Sequence, residues 1–317
     1  MQHLDAAALR ERLPFAALVA ALREAFRSDA ISVPLRHSHA IGDAGTALLM
    51  PAWRAGGCFA VKTVTIFPGN GARGLPGLHG VVTLFDATTG VPLAVLDGSE
   101  LTARRTAAAA ALAADYLART DATRLLVLGA GRVGALLPDA MCSVRLKLRH
   151  FEIWNRNPAA AESLAARWRE QGLQARAVVD LQAAVQTADI VSCATLSTAP
   201  LVKGEWLAPG AHLDLIGSFS PTMREADGQC FKRCRVWVDT DEAPTKSGDL
   251  LQAVAEGCFE LGEVEGTLSD LCRGLKSGRS TGDDQARERT LFKAVGTALE
   301  DLAAAELAVA PSRSNNR

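Results

Sequence analysis

Residues Leu125-Leu126-Val127-Leu128-Gly129-Ala130-Gly131-Arg132-Val133-Gly134 constrain this chain more than any other stretch. The apolar run reads as a strand buried on both faces. It breaks into Gly-x-Gly-x-x-Gly, and Ala135 to Met141 has helix-forming composition. Pro138 is expected early in that helix, where its missing N–H matters little. Strand, glycine turn and helix in this order form a dinucleotide-binding signature. Gly129 permits the tight turn. Gly131 admits a pyrophosphate to N–H groups at the positive end of the helix, and Gly134 lets that helix pack on its strand. Ala130, Arg132 and Val133 lie in the same turn and are assigned to the cofactor with it.

The next apolar run, His150-Phe151-Glu152-Ile153-Trp154, ends in Asn155-Arg156-Asn157. Folds that bind NAD usually carry Asp or Glu at this point, to hold the ribose 2′-hydroxyl. A carboxylate would repel a 2′-phosphate, whereas an amide and a guanidinium would hydrogen-bond to it. Asn155, Arg156 and Asn157 therefore point to NADP(H), with NAD(H) as the second possibility.

A chain of 317 residues is long enough for a large core and two domains. The formal net charge of −1 gives no reason to expect nucleic acid or an anionic membrane as partner. No apolar run reaches the ~18 residues a membrane span needs. Met1-Gln2-His3-Leu4-Asp5 is not a basic stretch leading into an apolar one, so no secretory signal is expected. The cysteines Cys58, Cys142, Cys193, Cys230, Cys234, Cys258 and Cys272 are scattered, odd in number and contain no Cys-x-x-Cys. That suits reduced thiols in a cytoplasm. Cys230 and Cys234 have no histidine nearby in sequence, so no metal site is expected.

In chain order, Asp5 to Ala30 reads as two helices divided by Pro14, with Phe15, Leu18, Val19, Leu22 and Phe26 on one face. Ile31 to Arg36 is extended. Strands are expected at Ala47–Met50 and Cys58–Phe67, then a glycine-rich loop from Pro68 to Leu78. Gly80–Phe85 and Pro92–Leu96 read as a hairpin. A helix runs from about Leu101 to Ala118. This first part is an α+β unit on an antiparallel or mixed sheet. From Thr123 to about Asp241 the pattern is βαβα, with strands at Leu125–Leu128, Phe151–Trp154, Ala175–Val178, Ile190–Cys193, His212–Ile216 and Val236–Val238. That is a doubly wound parallel sheet of Rossmann type. Beyond Asp249 helices dominate, with an amphipathic one from Leu291 to Leu307. The polar tail Pro311 to Arg317 is expected to be disordered.

The chain resembles the ornithine cyclodeaminase/mu-crystallin family over nearly its whole length. The resemblance rests on Val33-Pro34-Leu35-Arg36, Ala60-Val61-Lys62, His79-Gly80, the block Leu101 to Ala108 (Leu-Thr-Ala-Arg-Arg-Thr-Ala-Ala), and Gly129-Ala130-Gly131. Ile153 to Arg156, Gly204-Glu205-Trp206, Pro209 to His212, Ser247-Gly248-Asp249, Glu260 to Val264 and Thr290 to Gly296 extend it. It implies a homodimer whose residues 1–118 together with 290–317 form a substrate-binding and dimerisation domain. Residues 119–289 would form the Rossmann domain, with the active site in the cleft between the two. It further implies hydride exchange between a nicotinamide and an amino- or imino-acid α-carbon. Arg36, Lys62 and Arg105 match the positions that bind the substrate carboxylate, and Lys62 and Arg105 would also serve catalysis. Three cations gathered at one place call for an anion, and a substrate carboxylate would supply it. His79 matches a position near the cofactor and is a candidate proton donor. Under the same resemblance Thr106, Thr195, Leu196 and Val295 join the cofactor set, and Glu242 and Phe219 the substrate set.

Two departures from the cyclodeaminase pattern matter. Cyclodeaminases carry Asp in a Gly-x-Asp-x-Pro turn where this chain reads Gly217-Ser218-Phe219-Ser220-Pro221, and a glutamate where it has Leu48. Phenylalanine can neither move a proton nor bind an amine. Members like mu-crystallin also lack the Asp and resemble ketimine reductases. The expectation is therefore NADPH-dependent reduction of a ketimine, such as a pyrroline- or piperideine-2-carboxylate. Two alternatives stay open. One is NAD+-dependent cyclodeamination of ornithine to proline and ammonia. The other is a non-catalytic, NADP-dependent ligand-binding protein.

Overall fold

The computed structural model describes residues 1–310, so the expectation for Pro311 to Arg317 lies outside them. The chain divides into two compact units, Met1–Arg105 with the chain from Thr297 onward, and Thr106–Gly296. The division falls inside a helix rather than after residue 118. On the carboxyl side it follows Gly296, not residue 289.

The first unit contains β1 (Gln2–Leu4), α1 (Ala6–Arg12), α2 (Phe15–Arg27), β2 (Ile31–Ser32), β3 (His37–Ile41), β4 (Gly45–Arg54), β5 (Cys58–Ile66), β6 (Leu78–Asp86), β7 (Pro92–Asp97) and the start of α3 (Gly98–Leu117). Asp5 begins α1 by accepting from the Ala8 N–H at 2.9 Å. Pro14 stands at the N-cap of α2, whose expected face of Phe15, Leu18, Val19, Leu22 and Phe26 is buried. The strands form one sheet in the order β1-β7-β6-β5-β4-β2, with β3 also on β4. The β1–β7 pair is parallel and the others are antiparallel.

Along β4 to β7 the residues alternate in burial. Met50, Ala52, Ala60, Lys62, Val64, Val82, Leu84, Ala94 and Leu96 face the core. The opposite face carries Trp53, Phe59 and Phe85, with neighbouring ring centroids 6.3 and 5.8 Å apart. Val61 and Val81 lie on that face too.

The second unit continues with β8 (Arg124–Leu128), α4 (Arg132–Cys142), β9 (His150–Trp154), α5 (Pro158–Glu170), β10 (Gln174–Ala177), α6 (Leu181–Thr187), β11 (Ile190–Cys193) and β12 (His212–Leu215). Then come α7 (Gly228–Arg233), β13 (Arg235–Val238), α8 (Ala243–Lys246), α9 (Gly248–Ala255), β14 (Val264–Thr267), α10 (Leu268–Arg273) and β15 (Thr290–Lys293). Its eight strands are all parallel, in the order β10-β9-β8-β11-β12-β15-β13-β14. The winding reverses between β8 and β11, the place where such sheets open a crevice at their carboxyl ends.

Three expectations change. Pro138 lies well inside α4, so the Gly134 carbonyl has no N–H four residues on. The region expected as one helix from Leu291 to Leu307 is β15 followed by α11 (Ala298–Val309), broken at Gly296 with φ +78°. The short apolar run Leu291-Phe292 fits strand or helix, and pairing with β12 and β13 decides for strand. Finally, α11 is not amphipathic. Ala298, Glu300, Asp301, Leu302, Ala303, Ala304, Ala305 and Ala308 are all buried, because the helix packs against both α2 and the sheet face of β4 and β5. Among the described residues no helix is long and apolar enough to cross a membrane.

Candidate active site

The turn after β8 has the shape a dinucleotide needs. Gly129 has φ +105°, and a Cβ there would meet the Ala194 carbonyl oxygen at 2.5 Å. A Cβ on Gly134 would run into the Gly129 carbonyl, so only glycine lets α4 sit this close to its strand. Gly131 differs: nothing lies within 4 Å of the place its Cβ would occupy. It is the N-cap of α4, and no side chain caps the helix there. Open space in front of first-turn N–H groups fits a pyrophosphate. Arg132 is exposed, and Ala130 and Val133 are half-buried in the same turn.

Nearly all the other proposed residues of the second unit follow strands, at the carboxyl edge of the sheet. Asn155 follows β9, Thr195 and Leu196 follow β11, Phe219 follows β12, Glu242 follows β13, and Val295 follows β15. The half-buried Thr106 lies in α3. Several of these have tasks within the protein. Asn155 Oδ1 accepts from the Ala130 N–H at 3.3 Å, and its Nδ2 donates to the Asn157 carbonyl at 3.1 Å. Asn157 caps α5 by accepting from the Ala159 N–H. Arg156 is exposed, and no hydrogen bond or ion pair engages it among the described residues. Leu196 and Phe219 expose 77% and 43% of their surface, unusual for apolar residues at an otherwise well-packed edge. Val295 is buried and its N–H donates to Asp239 at 2.7 Å. Glu242 pairs with Lys246 one turn on. Thr195 donates from both its N–H and its hydroxyl to the buried Glu225.

In the first unit Lys62 and Arg105 converge. Lys62 Nζ lies 2.9 Å from Oδ1 and 2.7 Å from Oδ2 of Asp301, and Arg105 Nε lies 3.0 Å from Asp301 Oδ1. Arg105 Nη1 also bonds to Glu300. All four side chains are buried. The expectation that a substrate must supply the anion is therefore corrected: α11 brings two acids, and the quartet is neutral by itself. The acids were missed by sequence reasoning, yet a signal existed. Glu300-Asp301 interrupts an alanine- and leucine-rich run, where a buried acid needs a partner. Burial pushes the Lys62 ammonium down to about 8, against the pull of Asp301.

Arg36 is half-buried and immediately precedes β3. Since His37 pairs with Leu49, and Met50 with Lys62, Arg36 stands level with Lys62 with β4 between them. His79 does not join this group. It is exposed and pairs with Thr65, whereas Val82 pairs with Lys62. Strand alternation therefore places His79 and Lys62 on opposite faces. Among the described residues no cluster of His, Cys, Asp or Glu has the makings of a metal site.

The quartet makes a stability prediction. Asp301→Asn removes the carboxylate shared by two buried cations and should cost about 3–5 kcal/mol. A urea unfolding midpoint equal to that of the wild type would show that the pairing does not hold this unit together.

A sequence profile of the ornithine cyclodeaminase/mu-crystallin family matches residues 3–314. A Delta(1)-pyrroline-2-carboxylate reductase of Paracoccus denitrificans is 39% identical over 259 residues, covering 81% of each chain. The ketimine reductase mu-crystallin of Rattus norvegicus is 36% identical over 262 residues, covering 82% of this chain and 78% of its own. The Thermococcus litoralis Delta(1)-pyrroline-2-carboxylate reductase, solved in complex with NADH and L-proline, superposes with a TM-score of 0.89 at 31% identity. That match covers 98% of this chain and 96% of the other.

Proposed function

The chain belongs to the ornithine cyclodeaminase/mu-crystallin family, and from that premise we propose that it reduces a cyclic ketimine carboxylate to the amino acid, using a nicotinamide cofactor. The substrate class is a pyrroline- or piperideine-2-carboxylate. The observation that carries this reading over cyclodeamination is Phe219. The turn after β12 offers an exposed ring where a lyase needs a carboxylate to handle the amine.

The residues divide the work as follows. Arg36, Lys62 and Arg105 bind the substrate carboxylate, the two buried cations already shaped by Asp301 to hold such a group. Gly129, Gly131 and the N-terminus of α4 would hold the pyrophosphate of a nicotinamide dinucleotide, which would supply hydride chemistry at the imine carbon. Lys62 Nζ gives the imine nitrogen its proton and regains one from water. A lysine lowered to about 8 is suited to that exchange near neutral pH. His79 is not the donor in this scheme, since it faces the other side of its sheet. Phe219 narrows the substrate site and favours a flat ring.

Arg156 favours NADP(H) over NAD(H), because its guanidinium is exposed at the end of β9, where a 2′-phosphate would lie. The enzyme works as a homodimer, joined through the apolar outer sheet face of Val61, Val81, Trp53, Phe59 and Phe85. No disulfide joins the cysteines among the described residues, and reduced cysteines fit a cytoplasmic setting.

The first experiment follows NADPH oxidation at 340 nm with pyrroline-2-carboxylate and piperideine-2-carboxylate, with ornithine and NAD+ assayed for ammonia. Imine reduction is expected, with kcat/KM declining above about pH 8 as Lys62 loses its proton. Ammonia release without imine reduction would exclude the reductase reading. Arg156→Ala should weaken NADPH binding roughly 10- to 100-fold while leaving NADH unchanged, the loss of one charge-assisted contact. Equal effects on both cofactors would remove Arg156 from the site. Val81→Glu places a charge in the proposed dimer face, and light scattering should then read the mass of a monomer. A wild-type mass already monomeric would refute that interface.

A further inference from the structure

One buried acid of the second unit has no part in the scheme above. Glu225 is fully buried. Its Oε1 accepts from the Thr195 N–H at 2.7 Å and the Thr195 hydroxyl at 2.8 Å, and its Oε2 accepts from the Gly217 N–H at 2.6 Å. Thr195 follows β11 and Gly217 follows β12, so a single carboxylate ties together the loops that leave two adjacent strands. The packing is tight. A Cβ on Gly217 would run into both the Thr195 carbonyl and the Glu225 carboxylate.

Glu225 is itself fixed. Its N–H donates to Asp249 Oδ1 at 2.8 Å, and its carbonyl accepts from Leu201 and Val202 at 2.8 and 3.0 Å. The Arg224 N–H donates to the Ser197 carbonyl at 2.7 Å. Asp249 reaches the second loop as well, since its N–H donates to Ser218 Oγ at 3.1 Å, and its carboxylate lies 3.5 Å from the buried Lys293 ammonium. Thr195-Leu196 and Gly217-Ser218-Phe219 thus form one hydrogen-bonded block around Glu225.

Three donors aimed at one spot need an acceptor with several lone pairs, and a carboxylate provides them. Burial, with the neighbouring Asp249 carboxylate adding to it, raises the Glu225 carboxyl to about 7, against the pull of Lys293 and the Thr195 donors. An acid kept at such a cost, where an apolar residue would pack, has a geometric task. The cofactor reading says which. Asn155 and Arg156 after β9 would hold its 2′ end, and Gly131 after β8 would hold its pyrophosphate. The loops on the far side of the winding reversal, after β11 and β12, would then hold the remaining half. There the block presents the exposed Leu196 and Phe219.

We infer that Glu225 is a positioning residue for the nicotinamide half of the cofactor, setting the spacing between the Thr195-Leu196 loop and the Gly217-Phe219 turn. This rests on the proposed use of a nicotinamide dinucleotide.

The test measures dissociation constants on the full chain by fluorescence titration. The ligands are NADPH or NADH, whichever the wild type binds, and the matching fragment without nicotinamide, 2′,5′-ADP or ADP. Glu225→Gln keeps an acceptor for Thr195 but turns an amide N–H toward the Gly217 N–H. It should weaken the dinucleotide roughly 10- to 100-fold and leave the fragment within twofold. Thr195→Val removes one bond and should weaken the dinucleotide roughly fivefold, which decides the matter if Glu225→Gln does not fold. Glu152→Gln, a buried acid at the other end of the sheet, should lower the melting temperature without changing either affinity. If the Glu225 and Thr195 variants bind the dinucleotide like wild type, or lose dinucleotide and fragment equally, the inference is overturned. A wild type that binds neither dinucleotide overturns the cofactor reading beneath it.

Discussion

The Asp301 carboxylate, shared by Lys62 and Arg105, is the contact on which the first unit depends. A lysine in the middle of a buried strand and an arginine on a buried helix are each costly alone. They are tolerable because α11 delivers Asp301 and Glu300 into the same space. The alanines of α11 serve this end, since small side chains bring its backbone close to α2 and to β4 and β5. The cations are held in fixed positions by the fold itself.

The second unit solves a different problem. Its parallel sheet gathers the ends of β8, β9, β11, β12, β13 and β15 at one edge, so residues far apart in sequence share a line. Two kinds of loop leave that edge. The loop after β8 is kept open by glycine, with Gly131 facing unfilled space. The loops after β11 and β12 are locked by buried polar groups, Glu225 and Asp249 with Lys293. The open turn suits an anion that must approach the backbone. The locked loops suit a flat ring that must be held in one orientation.

Buried charge recurs in both units, and part of it lies where chemistry is proposed. Asp239 accepts from the Val295 and Gly296 N–H groups at 2.7 and 2.6 Å, which fixes the chain as it leaves β15 for the first unit. Burial raises its carboxyl above the usual range, while those bonds pull it down. Such groups add little net stability relative to apolar packing, and their value lies in specifying one geometry.

The sequence by itself determined the local parts: the Gly-x-Gly-x-x-Gly turn, the strands β8 to β13, the α2 face and the β6–β7 hairpin. Each of these is written in neighbouring residues, through period, breaker and cap. It also placed Phe219 in a glycine- and proline-bounded turn and Arg156 just after an apolar strand. Tertiary structure decided the rest. Lys62 and Asp301 meet across 239 positions, and no local pattern names that partner. That Thr195 donates to Glu225 is likewise not written in its neighbours. His79 looks adjacent to the site until strand register turns it to the other face. Leu291-Phe292 reads as helix until β12 and β13 flank it. In each case the deciding energy is a long-range contact, a buried ion pair or a ladder bond, that exists only once the chain has folded.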